Sequence, residues 1–106
     1  ISGGEEKEEP VDLVETFNYL LGLHINRLRA FKDGDRLYKV VYGTRGNEQV
    51  VVIWRDTPDL DLKRDKEFIE KTVLADITPD TIYTNGDSYL ENAKPIEPEF
   101  KRLMGA

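Results

Sequence analysis

Few of the 106 residues are of the kinds that do chemistry. The chain holds one histidine, His24, no cysteine, and two serines, Ser2 and Ser88. A serine triad needs a histidine beside the nucleophile and a G-x-S-x-G elbow or its equivalent. Neither serine sits in such a context, and His24 falls in an apolar stretch where a packed or capping role is the simpler reading. Without cysteine there is no disulfide, thiolate metal site or cysteine nucleophile. The carboxylates offer more. Asp59, Asp61, Asp65 and Glu70 fall near the ligand positions of a calcium loop, but Lys63 takes the third ligand position and Arg64 the obligatory glycine. Helix capping explains Asp59 and Asp61 more simply.

A metal-dependent nuclease would want an acid on one strand and Glu-x-Lys on its neighbour. The apolar run Gln49-Val-Val-Val-Ile-Trp54 offers no such side chain before Arg55. "GTRG" (43–46) has the G-x-x-G spacing of single-strand RNA-binding KH loops, yet it joins two expected strands rather than two helices. No G-x-G-x-x-G and no P-loop occurs. "YTNGDS" (83–88) puts Asp87 beside Asn-Gly, which favours positive φ. With no base, metal ligand or nucleophile near it in sequence, this stretch is expected to be a turn.

The elements that would position these residues follow from periodicity. Asp12 and Glu15 resemble a capping box, and Leu13, Phe17, Leu20, Leu21, Leu28 and Phe31 then recur at helical spacing. They predict one long helix ended by "KDGD" (32–35), with Gly22 inside it marking a close backbone approach. Val14 and Ile25 widen its apolar arc, so Leu13, Phe17, Leu20 and His24 would face one way and Val14, Leu21, Ile25 and Leu28 another. One arc would cover a sheet and the other a partner. "RLYKVVYG" (36–43) and "QVVVIWR" (49–55) predict a hairpin, the second strand covered on both faces. "LKRDKEFIEKTVLA" (62–75) predicts a second helix with Leu62, Phe68, Ile69 and Val73 on one side. "TIYT" (81–84) is a third strand, parallel to the second by the right-handed crossover rule. "IEPEFKRLM" (96–104) supplies a short last helix, Pro98 in its first turn and Phe100, Leu103 and Met104 on one side. The expected fold is therefore α/β (α+β): a three-stranded mixed sheet in the order helix, strand, strand, helix, strand, short helix, with helices covering the sheet.

A chain of this length suits one domain. Its net charge is −6, half of it from Glu5, Glu6, Glu8 and Glu9 against Lys7. That balance disfavours a free-standing DNA-binding surface. The opening Ile-Ser-Gly-Gly and the acidic run predict a tag remnant or disordered linker over residues 1–10, with a single domain over 11–106. No run approaches a membrane span and no signal pattern is present. The absence of cysteine fits an expected cytoplasmic setting.

Three stretches taken together are specific. "VDLVETFNYLLGLHI" (11–25), "VVVIWRD" (50–56), and "IYTNGDS" followed by "AKPIEPEFKRLM" (82–88, 93–104) occur in an order and spacing that resembles the C-terminal end of type III restriction–modification adenine-specific DNA methyltransferases, the Mod subunits. Proteins of that family carry a D-P-P-Y loop for the flipped adenine and an F-x-G-x-G loop for S-adenosylmethionine. Neither string is present, so the resemblance implies no catalytic, cofactor or metal residue in this chain, with S-adenosylmethionine bound elsewhere in the parent protein. It implies a tail that holds two Mod subunits together or meets the restriction subunit, and that reaches DNA only through the parent. The interface expected on that reading is Leu13, Phe17, Leu20, Leu21, His24 and Leu28. An accessory contact to nucleic acid is the alternative, through Arg27, Arg29, Arg45, Lys101 and Arg102.

Overall fold

The computed structural model describes residues 4–105, with side chains from Leu13 onward. The elements run α1 (Gly4–Leu21), β1 (His24–Asp33), β2 (Arg36–Arg45), β3 (Glu48–Arg55), α2 (Leu62–Phe68), β4 (Thr81–Thr84), β5 (Ala93–Pro95) and α3 (Ile96–Leu103). A single π-helical turn, Ile69–Val73, prolongs α2. This is a mixed α+β fold around one five-stranded sheet in the order β1-β2-β3-β4-β5. The first three strands are antiparallel neighbours, and β4 and β5 continue the sheet in parallel with β3.

The expected hairpin, the parallel β3–β4 pair and the closing helix are all present. The sheet has five strands rather than three, and the long first helix is divided. It ends at Leu21, where Gly22 takes φ +70°. The Leu23 N–H donates to the Asn18 carbonyl at 3.0 Å and the Gly22 N–H to the Tyr19 carbonyl at 3.0 Å. Those two bonds make a Schellman stop, which leaves the chain free to turn into a strand. Gly22 is therefore a helix terminator, and no atom lies where its Cβ would crowd a neighbour. The close approach is at Gly43 instead, where a Cβ would stand 2.5 Å from the His24 carbonyl oxygen.

The helix also begins earlier than Asp12. Its backbone runs from Gly4, consistent with the helix propensity of Glu and Lys. Residues 1–3 of the expected linker lie outside the described residues. "KDGD" is a two-residue hairpin turn, Gly34 at φ +64°, joining β1 to β2. Asp61 caps α2 as expected, accepting from the Lys63 and Arg64 N–H groups, whereas Asp59 sits at φ +59° in the preceding turn and caps nothing.

Two cores flank the sheet. Phe17 and Leu21 of α1 and Ile96 of α3 pack on Val41, Val50, Val52 and Tyr83, with Phe17 edge-on to Tyr83 at 5.4 Å. On the other face Ile69 and Val73 meet Tyr38, Val40, Tyr42, Val51, Ile53 and Ile82. Val50 to Ile53 are thus buried on both faces, as the unbroken apolar run predicts. At roughly 1.5–3 kcal/mol for each fully buried side chain, these two layers are what hold the fold together.

Candidate functional site

Two regions carry polar groups that packing alone does not explain. The first lies at the C-terminal ends of β3 and β4, the end of parallel strands where α/β sheets most often hold ligands. Arg55 is the last residue of β3, and its side chain is fully buried. Its Nε and Nη2 donate to the two oxygens of Asp65 on α2, at 3.0 and 3.1 Å. Nη1 donates to the Asn85 carbonyl and, at 3.2 Å, to the Asn85 side-chain oxygen. Nη2 also donates to the Asp87 carbonyl at 2.6 Å. The five N–H groups of the guanidinium are thereby satisfied. Asn85 closes the arrangement, accepting from the Arg55 backbone N–H at 2.8 Å and donating to the Arg55 carbonyl at 2.6 Å. Tyr38 donates its hydroxyl to Asp65 at 2.7 Å. Burial, reinforced by the Asp65 carboxylate, pushes the Tyr38 phenol well above its ordinary pKa.

"YTNGDS" is thus a turn fastened from beneath by a buried arginine. Asp87 takes part through its backbone carbonyl, while its side chain is exposed. Every donor of Arg55 is engaged with the protein itself, so this knot offers a ligand no free cation. No group of three or more histidine or acidic side chains is placed to hold a metal among the described residues.

The second region is the β1 edge. All but two residues of β1 are exposed, and among the described residues no strand pairs with its outer side. Register divides its side chains. Arg27, Arg29, Phe31 and Asp33 lie opposite Tyr42, Val40, Tyr38 and Arg36, on the α2 face. Leu28, Ala30 and Lys32 lie opposite Val41, Lys39 and Leu37, on the α1 face. A bulge at Asn26 separates them from Ile25, which is paired with Gly43. Arg27 lies over the Tyr42 ring at 4.9 Å and Arg29 over Phe31 at 5.0 Å. Neither makes an ion pair among the described residues. On the other face α1 covers only part of the sheet. A groove of about 590 Å³ remains between it and β1, lined by Val14, Asn18, Ile25, Leu28, Ala30 and Val41 among others. Leu28 is 65% exposed there. The Asn18 side-chain oxygen, buried beside it, has no donor among the described residues.

The residues expected at an interface are therefore not one helical surface. Phe17 and Leu21, assigned to opposite arcs, are both buried in the same core, and Leu20 is half-buried. His24 and Leu28 are on β1, not on a helix, both exposed. Leu13 stays exposed on α1. The expected nucleic-acid set is likewise dispersed. Arg45 pairs with Glu48 at 3.0 Å, and the Thr81 hydroxyl together with this arginine holds the Glu48 carboxyl below its usual range. Arg102 pairs with Glu99. Lys101 lines a different apolar groove, of about 780 Å³, between Leu13, Trp54 and α3. Only Arg27 and Arg29 share a face and remain uncommitted to an acid.

Comparison of the chain with protein-family models, curated proteins and solved structures finds no match. No helix among the described residues is long and apolar enough to cross a membrane.

Proposed function

We propose that this chain is a non-catalytic assembly domain from the C-terminal end of a type III Mod-like adenine-specific DNA methyltransferase. The single observation that carries the assembly reading is β1: a ten-residue strand at the sheet edge, exposed over most of its length, beside an apolar groove that α1 leaves uncovered. Long open edges are ordinarily shortened or covered, because their free N–H and C=O groups invite another chain. The stretches that carry the family resemblance support the rest. They supply α1, the β3–Arg55 segment, the fastened turn, and the β5–α3 end, four pieces that pack on one another.

On this reading the parent protein binds S-adenosylmethionine and flips adenine elsewhere in its chain, in the cytoplasm, and this domain supplies contacts between subunits. The coding sequence ahead of Ile1 tests the family: D-P-P-Y and F-x-G-x-G should both be encoded there, and their absence overturns the assignment. A second reading, contact with nucleic acid, has Arg27 and Arg29 in its favour. Binding to duplex DNA that weakens steeply with salt and is lost in Arg27→Ala/Arg29→Ala would support it.

A further inference from the structure

We propose that the β1 edge receives an extended segment of another protein whose residues alternate between acidic and apolar, adding it as a sixth strand. The inference rests on the assembly reading and names the partner of the same surface.

The backbone sets the docking frame. Gly34 and Asp35 form a two-residue turn, which makes Asp33–Arg36 a hydrogen-bonded pair closing the hairpin. Alternation along the strand then turns the N–H and C=O groups of Leu28, Ala30 and Lys32 outward. A segment laid along β1 bonds to those three residues and reads the side chains between and beside them.

The side chains set the chemistry. Residues of the segment on the α2 face meet Arg27 and Arg29, two guanidiniums backed by aromatic rings and in no ion pair among the described residues. Residues on the α1 face meet Leu28, Ala30 and the groove under α1. Acid on one face and aliphatic on the other is a strict alternation, which an extended strand presents naturally.

A second copy of this chain fits the edge poorly. Antiparallel self-pairing keeps each face on its own side, so centring it on Leu28 sets Arg27 opposite Arg29 of the second copy. Centring it on Arg29 sets that residue against itself. Like charges directly opposite are destabilising. Moving the centre to Ala30 brings Arg27 opposite Asp33, but Asp33 already gives its two oxygens to Arg64, at 2.8 and 2.9 Å. The cations of β1 thus oppose its own kind and favour an acidic strand.

The test uses the whole chain, isotopically labelled, with a synthetic Glu-Val-Glu-Thr-Glu-Val peptide blocked at both ends. Addition of the peptide should shift the amide signals of Leu28, Ala30 and Lys32 above all others. Ala30→Pro removes an outward N–H and leaves the β1–β2 bonds in place. This variant should keep its melting transition and bind at least tenfold more weakly. Arg27→Glu/Arg29→Glu should bind at least tenfold more weakly too. No amide shift at any soluble peptide concentration overturns the proposal. So does equal binding of the Lys-Val-Lys-Thr-Lys-Val peptide, or a concentration-dependent dimer abolished by Ala30→Pro, which would make the occupant a second copy. Failure here with D-P-P-Y found upstream leaves the family reading standing. Success without D-P-P-Y removes the family and keeps the docking edge.

Discussion

Arg55 and the pair Arg27/Arg29 are the same side chain put to opposite uses. Arg55 is withdrawn from water, and all its donors are matched by Asp65, Asn85 and Asp87. Arg27 and Arg29 lie on the surface over aromatic rings, with no ion pair among the described residues. Desolvating a guanidinium costs several kcal/mol unless it is fully matched. Arg55 is therefore tied to a structural task, while the edge arginines keep a charge that no acid among the described residues pairs with. A buried charged residue in a chain of this kind marks where the fold is fastened, whereas the edge arginines stay at the surface with their charge uncommitted.

The sharpest way to break that contrast is Asp65→Ala, which leaves Arg55 buried without its counter-ion. It should cost about 3–5 kcal/mol, a large part of the ~5–15 kcal/mol expected of a domain this size. The urea midpoint measures it. Gly43→Ala should cost about 1–3 kcal/mol by overpacking, because the new Cβ meets a main-chain carbonyl that cannot swing away. A smaller loss, roughly 0.5–1.5 kcal/mol, is expected for Tyr38→Phe, since Arg55 still satisfies Asp65. Tyr38 also gives the knot a pH signature. Its folded pKa is raised, so its proton leaves the unfolded chain first, and stability should fall as pH climbs past about 10. The phenylalanine variant should lose that part of the alkaline decline. Leu28→Ser stands at the other extreme and should move the midpoint by less than about 0.5 kcal/mol, because the residue is already largely in water. A loss as large as that of Tyr38→Phe would mean that β1 is held by the domain itself, and the contrast between the two arginine sites would blur.

How far the sequence could be read follows the same division. The central strands were legible because burial on both faces leaves an uninterrupted apolar run from Val50, and α3 because Pro98 and the spacing of Phe100 and Leu103 mark it. The edge was not. Leu28 and Phe31 continue the helical spacing of Phe17 and Leu21 by coincidence, although one pair lies on opposite faces of a strand and the other on one face of a helix. Two signals could have separated them: Gly22 as a helix stop, and Asp33-Gly34 as a hairpin turn between two stretches that alternate. β5 left little to read, since three residues carry no period. The knot could not be seen either. "VVVIWRD" and "YTNGDS" each look local, and only the parallel pairing of β3 with β4 brings Arg55 beneath Asn85.

That arrangement has a bearing on the order in which the molecule assembles. Arg55 bonds to residues 10, 30 and 32 positions further along the chain, so the clasp can close only after the excursion through α2 has returned and β4 has found its place. The local hairpins of β1, β2 and β3 need no such return and can form first. Interactions completed after the rate-limiting step act on escape from the folded state rather than on entry to it. The buried arginine is in this sense a latch: it does little to bring the domain together and much to set how long it stays closed.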